Sequence, residues 1–292
     1  MYHKTLSYRI FNVFNHLLLA AVGILCLLPL VHTLAVSLSG RAPANANLVT
    51  LYPIDFTWDA YQKTLDNPDF LRALWVSVQR TAIGTVFGMA VTVLAAYPLS
   101  KTNAVFKARS YYTWYFIIVL LFHGGMIPTY IVVQKLGLIN SIWALILPST
   151  INIWLLVIML SFFRTVPASL EEAAFMDGAN QFRILWSVYL PISLPAVATL
   201  SLFFIVSHWN SWFDGLIYLT QSERYPLATF LQTILVEISG MQMSSVGREL
   251  ENISNKTVKS AQIFIGALPV IIIYPFLQKF FVKGMVLGAV KE

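Results

Sequence analysis

The stretch "FFRTVPASLEEAAFMDGANQFRILWSVYLPISLP", residues Phe162–Pro195, is a polar interval between two long apolar blocks. Ser169, or Pro167 with Ala168, can open a helix in it. Glu171 and Glu172 then occupy the first turn, where the helix dipole favours negative charge. Leu170, Ala173, Ala174 and Asp177 follow at i, i+3, i+4 and i+7, a narrow stripe of small residues. Gly178 can supply the left-handed residue that ends the helix. Phe182, Leu185, Trp186 and Tyr189 repeat the same spacing. Leu190-Pro191 closes this second helix, because a residue before proline avoids the helical region. The pattern predicts a helix, a glycine turn and a second helix lying on a membrane surface. That shape suits a groove in another protein, and it also suits an interfacial amphipathic loop with no partner.

The flanking blocks are Ile142–Phe163 and Leu194–Trp212, and further out lie Val13–Leu38, Leu74–Leu99, Tyr111–Val133 and Ala261–Lys279. Crossing roughly 30 Å of hydrocarbon takes about 20 mostly apolar residues, so all of them read as spans. Of the 292 residues, 58% are hydrophobic and 11% charged. A soluble domain carries about 25% charged residues, and such an apolar excess has no place in one water-facing core. The expectation is an all-α membrane protein with six transmembrane helices over 13–279. Disorder, a collagen-like repeat and a soluble enzyme with one anchor are excluded. The first block is too long for a signal-peptide core and lacks a compact cleavage site, so it reads as a retained helix. The single cysteine, Cys26, lies inside that block and rules out a disulfide framework.

Orientation follows from the charges in alternate connections. The N-terminus 1–12, the second and fourth loops and the tail 280–292, together with Lys279, hold ten basic and four acidic side chains; loops one, three and five hold eight basic against nine acidic. The basic set is short and is expected in the cytoplasm, with both termini. The long loops 39–73 and 213–260 then face outward, and 164–193 faces inward. Arg80 is the one charge placed inside a span. The net charge of +6 fits this loop bias and does not require nucleic acid.

No enzymatic constellation is present. The five histidines, His3, His16, His32, His123 and His208, lack partners at metal-ligand spacing. No GxxxxGK[ST] phosphate loop or GxSxG elbow occurs. No catalytic residue and no metal site is expected, and any driving energy must come from a partner. Two adjacent sequons, at Asn252 and Asn255, read as chance matches.

At "EEAAFMDGA" followed by "YLPISLP" the chain resembles the EAA loop of ABC-importer permeases; Glu172, Ala173, Ala174, Asp177, Gly178, Ala179, Leu190, Pro191 and Pro195 fit that pattern. "AYPLSK" at the end of the second span, "SHWNSWFDGLIYL" and the closing "FVKGMVLGAVKE" are similar to segments of sugar permeases, the last to the shorter, six-helix member of a permease pair. "FHGGMIPTYIVVQKLGLINSIWALILP" resembles the subgroup handling complex oligosaccharides, such as fragments of pectin or alginate. The resemblance covers nearly the whole chain, with one departure, Glu292 where glycine is usual.

The resemblance implies the type I ABC-importer permease architecture in a bacterial inner membrane. This chain would form half of a two-subunit pore with a second, homologous permease. Two cytoplasmic ATP-binding cassette subunits, using ATP and Mg, would drive it, and an extracytoplasmic sugar-binding protein would deliver the solute. The chain itself would bind no cofactor. Leu170–Met176 would be the coupling helix seated in an ATPase cleft, with Glu172 fixing the loop by charge pairing beside Glu171. Pro167 and Pro191 would tie that helix to the spans as a lever. The loop 213–260 would reach the binding protein, around Gln242 to Arg248.

For the sugar path, Asn152 and Trp154 on span four and His208, Asn210 and Trp212 at the outer end of span five offer hydrogen bonds and flat rings. Tryptophan at this level also suits an ordinary aromatic belt, so His208 and Asn210 are the better polar candidates. Gly124-Gly125 and Pro128 allow a kink or a close helix approach in span three. A secondary transporter would need midplane acids in inverted repeats, and a channel a filter or charge ring; neither pattern is visible. A non-sugar solute stays open, because the EAA loop is shared across substrates.

Overall fold

The structure is a computed structural model that describes residues 6–122, 124–241 and 256–289, with side chains over 6–122, 124–234 and 256–276. The positions named above at His3, His123, Gln242 to Arg248, Asn252, Asn255 and Glu292 lie outside it. Every regular element among the described residues is helical. In chain order these are α1 (Leu6–Ser37), α2 (Arg41–Asn45), α3 (Asp59–Leu65), α4 (Pro68–Ser100), α5 (Arg109–Leu121), α6 (Met126–Lys135), α7 (Ile142–Ile146) and α8 (Ile153–Phe163). The loop between blocks four and five holds α9 (Ala168–Met176), α10 (Gln181–Ile184) and α11 (Leu190–Ile192). Then come α12 (Leu194–Asn210), α13 (Phe213–Tyr218), α14 (Leu227–Met241) and α15 (Lys256–Ala289).

Helices α1, α4 and the first part of α15, Lys256–Phe276, are each long and apolar enough to cross a membrane, and six spans result if three bent pairs are each counted as one. The bends have identifiable causes. Span three stops at Leu121 and restarts at Met126 behind Gly125, whose φ of +83° is left-handed. An added Cβ at Gly124 or Gly125 would meet nothing within 4 Å, so these glycines turn the chain and do not admit a neighbouring helix. In span four, Pro148 forms part of a short 3₁₀ turn, Leu147–Ser149, and α8 starts afresh at a bend of 53°. Leu194 opens α12 at 84° to the preceding helix, with Pro191 and Pro195 on either side of Ser193.

The chain packs as two units, one drawn from Met1–Leu71 and Thr233–Leu268, the other from Arg72–Gln232 and Pro269–Glu292. In the first, Ala35 and Val36 of α1 bury against Ala44 and Val49. The Ser37 hydroxyl lies 2.8 Å from that of Tyr61, and the Lys256 ammonium donates to Ala44 O at 2.9 Å. In the second, Met89, Val93 and Ala96 of α4 share a core with Leu156, Met159 and Phe163 of α8 and with Leu200 and Phe204 of α12. Gly84 and Gly88 bring α4 and α12 together: a Cβ at Gly88 would sit 2.6 Å from the Phe204 ring. This is the small-xxx-small geometry by which membrane helices approach. The glycines that perform it are on span two, not span three.

Candidate functional site

The loop between α8 and α12 builds its own ends. Pro167 stands at the N-cap of α9, the second of the two openings considered, with no side-chain cap. At the other end the Gly178 N–H donates to Phe175 O and the Ala179 N–H to Ala174 O, at 3.0 and 2.9 Å. With Gly178 at φ +76° this is a Schellman turn, which satisfies carbonyls that the helix end leaves open. Asn180 then caps α10, its side-chain oxygen accepting from Arg183 N at 2.9 Å.

Past α10 the structure departs from the regular repeat. Leu185–Tyr189 forms a π-helical turn, and α11 runs on through Pro191 to Ile192. Proline does not end the helix at Leu190, because after the wider turn it occupies the start of a new segment, where no N–H is required. The same turn splits the expected stripe. Leu185 and Tyr189 are buried, while Phe182 and Trp186 are 67% and 68% exposed. On α9, Leu170, Ala173 and Asp177 stay exposed and Ala174 alone of the stripe packs on the core.

One turn of α9 is tied to α4 by charge. Lys101, just past the end of α4, donates from Nζ to Glu171 Oε1 at 2.7 Å and to the Tyr189 hydroxyl at 2.9 Å. Tyr189 in turn donates to Glu171 Oε2 at 2.6 Å, closing a three-membered ring of contacts. The ammonium lies 4.1 Å from the ring centroids of both Tyr97 and Tyr189, within cation–π range. Tyr97 donates to Gln181 Oε1 at 2.5 Å, and Phe163 packs edge-on against both tyrosines. Lys101 and Glu171 retain 8% and 16% exposure, so their charges meet in a poorly hydrated site. Burial pulls the Lys101 pKa below its ordinary value, opposed by the hydrogen bond and charge of Glu171. Charge pairing inside the chain therefore falls to Glu171, and Glu172, which sequence reasoning favoured for fixing the loop, lies exposed beside it.

The N-terminal half of α4 holds a second ion pair that the sequence reading missed. Arg80, 1% exposed, pairs with Asp214 through both terminal nitrogens and also donates to Ser211 O at 2.9 Å. Asp214 Oδ1 accepts from the Ser211 hydroxyl and from Gly215 N, both at 2.9 Å. The break between α12 and α13 is thereby pinned to α4. The available signal was Arg80 itself, a cation inside an apolar block that requires an anion.

The five path residues are not gathered into one group. Asn152 is the N-cap of α8, its side-chain oxygen accepting from Trp154 N and Leu155 N at 3.1 and 3.3 Å. His208 is 3% exposed, stacked on Phe204 and pressed against Gly84. Trp154, Asn210 and Trp212 are exposed, with Trp212 edge-on to Phe213 at 5.4 Å between centroids. No group of three or more His, Cys, Asp or Glu side chains suited to a metal occurs among the described residues.

Four likenesses bear on this arrangement. The description "binding-protein-dependent transport system inner membrane component" matches residues 82–287. A polygalacturonan/rhamnogalacturonan transport system permease protein of Bacillus subtilis is 39% identical over 285 residues, 97% of this chain and 99% of that one. The protein LplC of Bacillus subtilis is also 39% identical, over 291 residues, covering 99% and 97% of the two chains. A crystal structure of a bacterial ABC transporter involved in the import of the acidic polysaccharide alginate superposes with a TM-score of 0.84 at 30% identity, covering 95% of this chain and 98% of the other.

Proposed function

This chain belongs to the binding-protein-dependent transport system inner membrane components, and from that premise we propose that it is one of two unlike permease subunits of an ATP-driven oligosaccharide importer. It is a transport subunit and not an enzyme. The observation that carries the solute class is identity spread over nearly the full length of a relative named for polygalacturonan and rhamnogalacturonan transport. Fragments of such polysaccharides are the proposed cargo, delivered by an extracytoplasmic sugar-binding protein.

Energy enters through α9. Its Schellman turn and its charge tie to α4 make it a short, firmly held element, while Met176 at its end and Phe182 and Trp186 beyond it leave apolar surface exposed, as Glu172 and Asp177 leave charge. Surface of this kind supports docking into a groove, and the groove is assigned to a cytoplasmic ATPase that uses ATP and Mg. The coupling set is Glu171, Glu172, Ala173, Ala174, Asp177, Gly178, Ala179, Leu190 and Pro191, with Glu171 acting within the chain and Glu172 toward the partner. Both termini are assigned to the cytoplasm. Asn152, Trp154, Asn210 and Trp212 are exposed and remain the path residues that are free to line a pore, whereas His208 is buried against α4.

Native mass spectrometry of the solubilised complex tests the assembly. One copy of this 32.9 kDa chain with a second permease and two ATPases is the expected composition, and two copies without a second permease refute it. Glycan screening of the copurifying binding protein, with oligogalacturonides included, then tests the cargo.

A further inference from the structure

Ala174 packs α9 on the apolar core, but the tie from α9 to α4 is polar and shielded. Lys101 is chemically unusual at this place, because a lysine ending a membrane helix normally extends toward water. Here it folds back, 8% exposed, between two tyrosine rings. A cavity of about 370 Å³, lined by Leu94, Pro98, Val105 and Phe182 among others, runs beside it between α4 and α10. Apolar packing on that side is therefore incomplete; Tyr97 reaches Gln181 across it, and Lys101 turns from it to Glu171 and Tyr189.

We propose that Lys101 is a positioning residue of the coupling loop: bonded to Glu171 and Tyr189, it makes α9 and the C-terminal end of α4 move together, so that a displacement of α9 reaches span two. The inference rests on the reading of α9 as the ATPase-facing element. A loop tied only by its flanking chain would absorb such a displacement. A shielded ion pair resists it, because separating the partners leaves two charges in a poorly hydrated site.

The test uses the complete transporter in nanodiscs, with Cys26→Ser and spin labels at Leu94→Cys on α4 and Val157→Cys on α8, both exposed positions. The probe is Mg-ATP with orthovanadate, which traps nucleotide on the ATPases. In the parent protein trapping shifts the label distance by about 2 Å or more, the scale of helix shifts in switching proteins. The double variant Lys101→Met, Glu171→Met removes both charges, leaves only the neutral Tyr189 hydroxyl without its two partners, and is expected to lose the shift in the complexes that carry trapped nucleotide. An equal shift in the double variant overturns the role of Lys101 alone. A parent protein that traps nucleotide without any shift overturns both this role and the coupling reading. Should the double variant not assemble, Tyr189→Phe, which removes only one hydroxyl, must diminish the shift, and an unchanged shift there refutes the proposal.

Discussion

The His208 ring occupies the space that any side chain at Gly84 would need: a Cβ built there lies 2.5 Å from His208 Nε2. A histidine near the outer end of an apolar span invites reading as a ligand-binding group, yet its place is set by a glycine on the neighbouring helix. Gly84→Ala therefore overpacks the α4–α12 contact, at about 1–3 kcal/mol. Thermal unfolding in detergent should show a lowered midpoint, and His208→Ala in the same chain should restore part of it. Additive losses in the double variant would count against the contact.

Gly178 carries a different requirement. Nothing lies within 4 Å of a Cβ placed on it, so the constraint is its φ of +76° and not space. Gly178→Val should cost about 1–2 kcal/mol locally, leave the protein inserted, and weaken ATPase copurification. Gly178→Asn, which tolerates this region better, should retain the partner. Normal copurification and normal ligand-stimulated hydrolysis for the valine variant would defeat the coupling role.

The Arg80–Asp214 pair predicts an asymmetry. Asp214→Ala strands a guanidinium that is 1% exposed and should destabilise by about 3–5 kcal/mol. Arg80→Met with Asp214→Leu removes both charges and should be markedly milder. Yield of monodisperse protein and its unfolding midpoint report both; equal losses would show that the pair is not coupled.

Asn152 separates two roles cleanly. Its oxygen caps α8, so Asn152→Ala should cost about 1 kcal/mol of stability, and Asn152→Asp, which keeps the acceptor, should cost little. If solute uptake instead falls equally in both variants while stability does not, Asn152 lines the path after all.

What could be read in advance divides along a physical line. The apolar blocks and the left-handed Gly178 are local properties, legible from composition and from a glycine set at the end of a helical stripe. Which of Glu171 and Glu172 turns inward depends on where Lys101 and Tyr189 sit, and neighbouring acids on a helix look alike until the helix is docked. The stripe Phe182, Leu185, Trp186 and Tyr189 failed for a related reason, since an i, i+3, i+4 repeat presumes a turn that the segment does not keep. Gly84 and Gly88 were legible as a GxxxG pattern and passed over, and Arg80 announced a partner without naming it.

The broken spans bear on how the chain is made. Helices α5 and α6 have 13 and 10 residues, and α8 has 11. At 1.5 Å per residue each reaches about 15–20 Å, against roughly 30 Å of hydrocarbon. None is long enough to leave the insertion machinery alone as a stable span. The middle of the chain must therefore be retained beside α4 until the following halves emerge. Biogenesis of this protein is a cooperative act of several segments, and pausing synthesis just after Leu121 should leave α5 extractable from the bilayer.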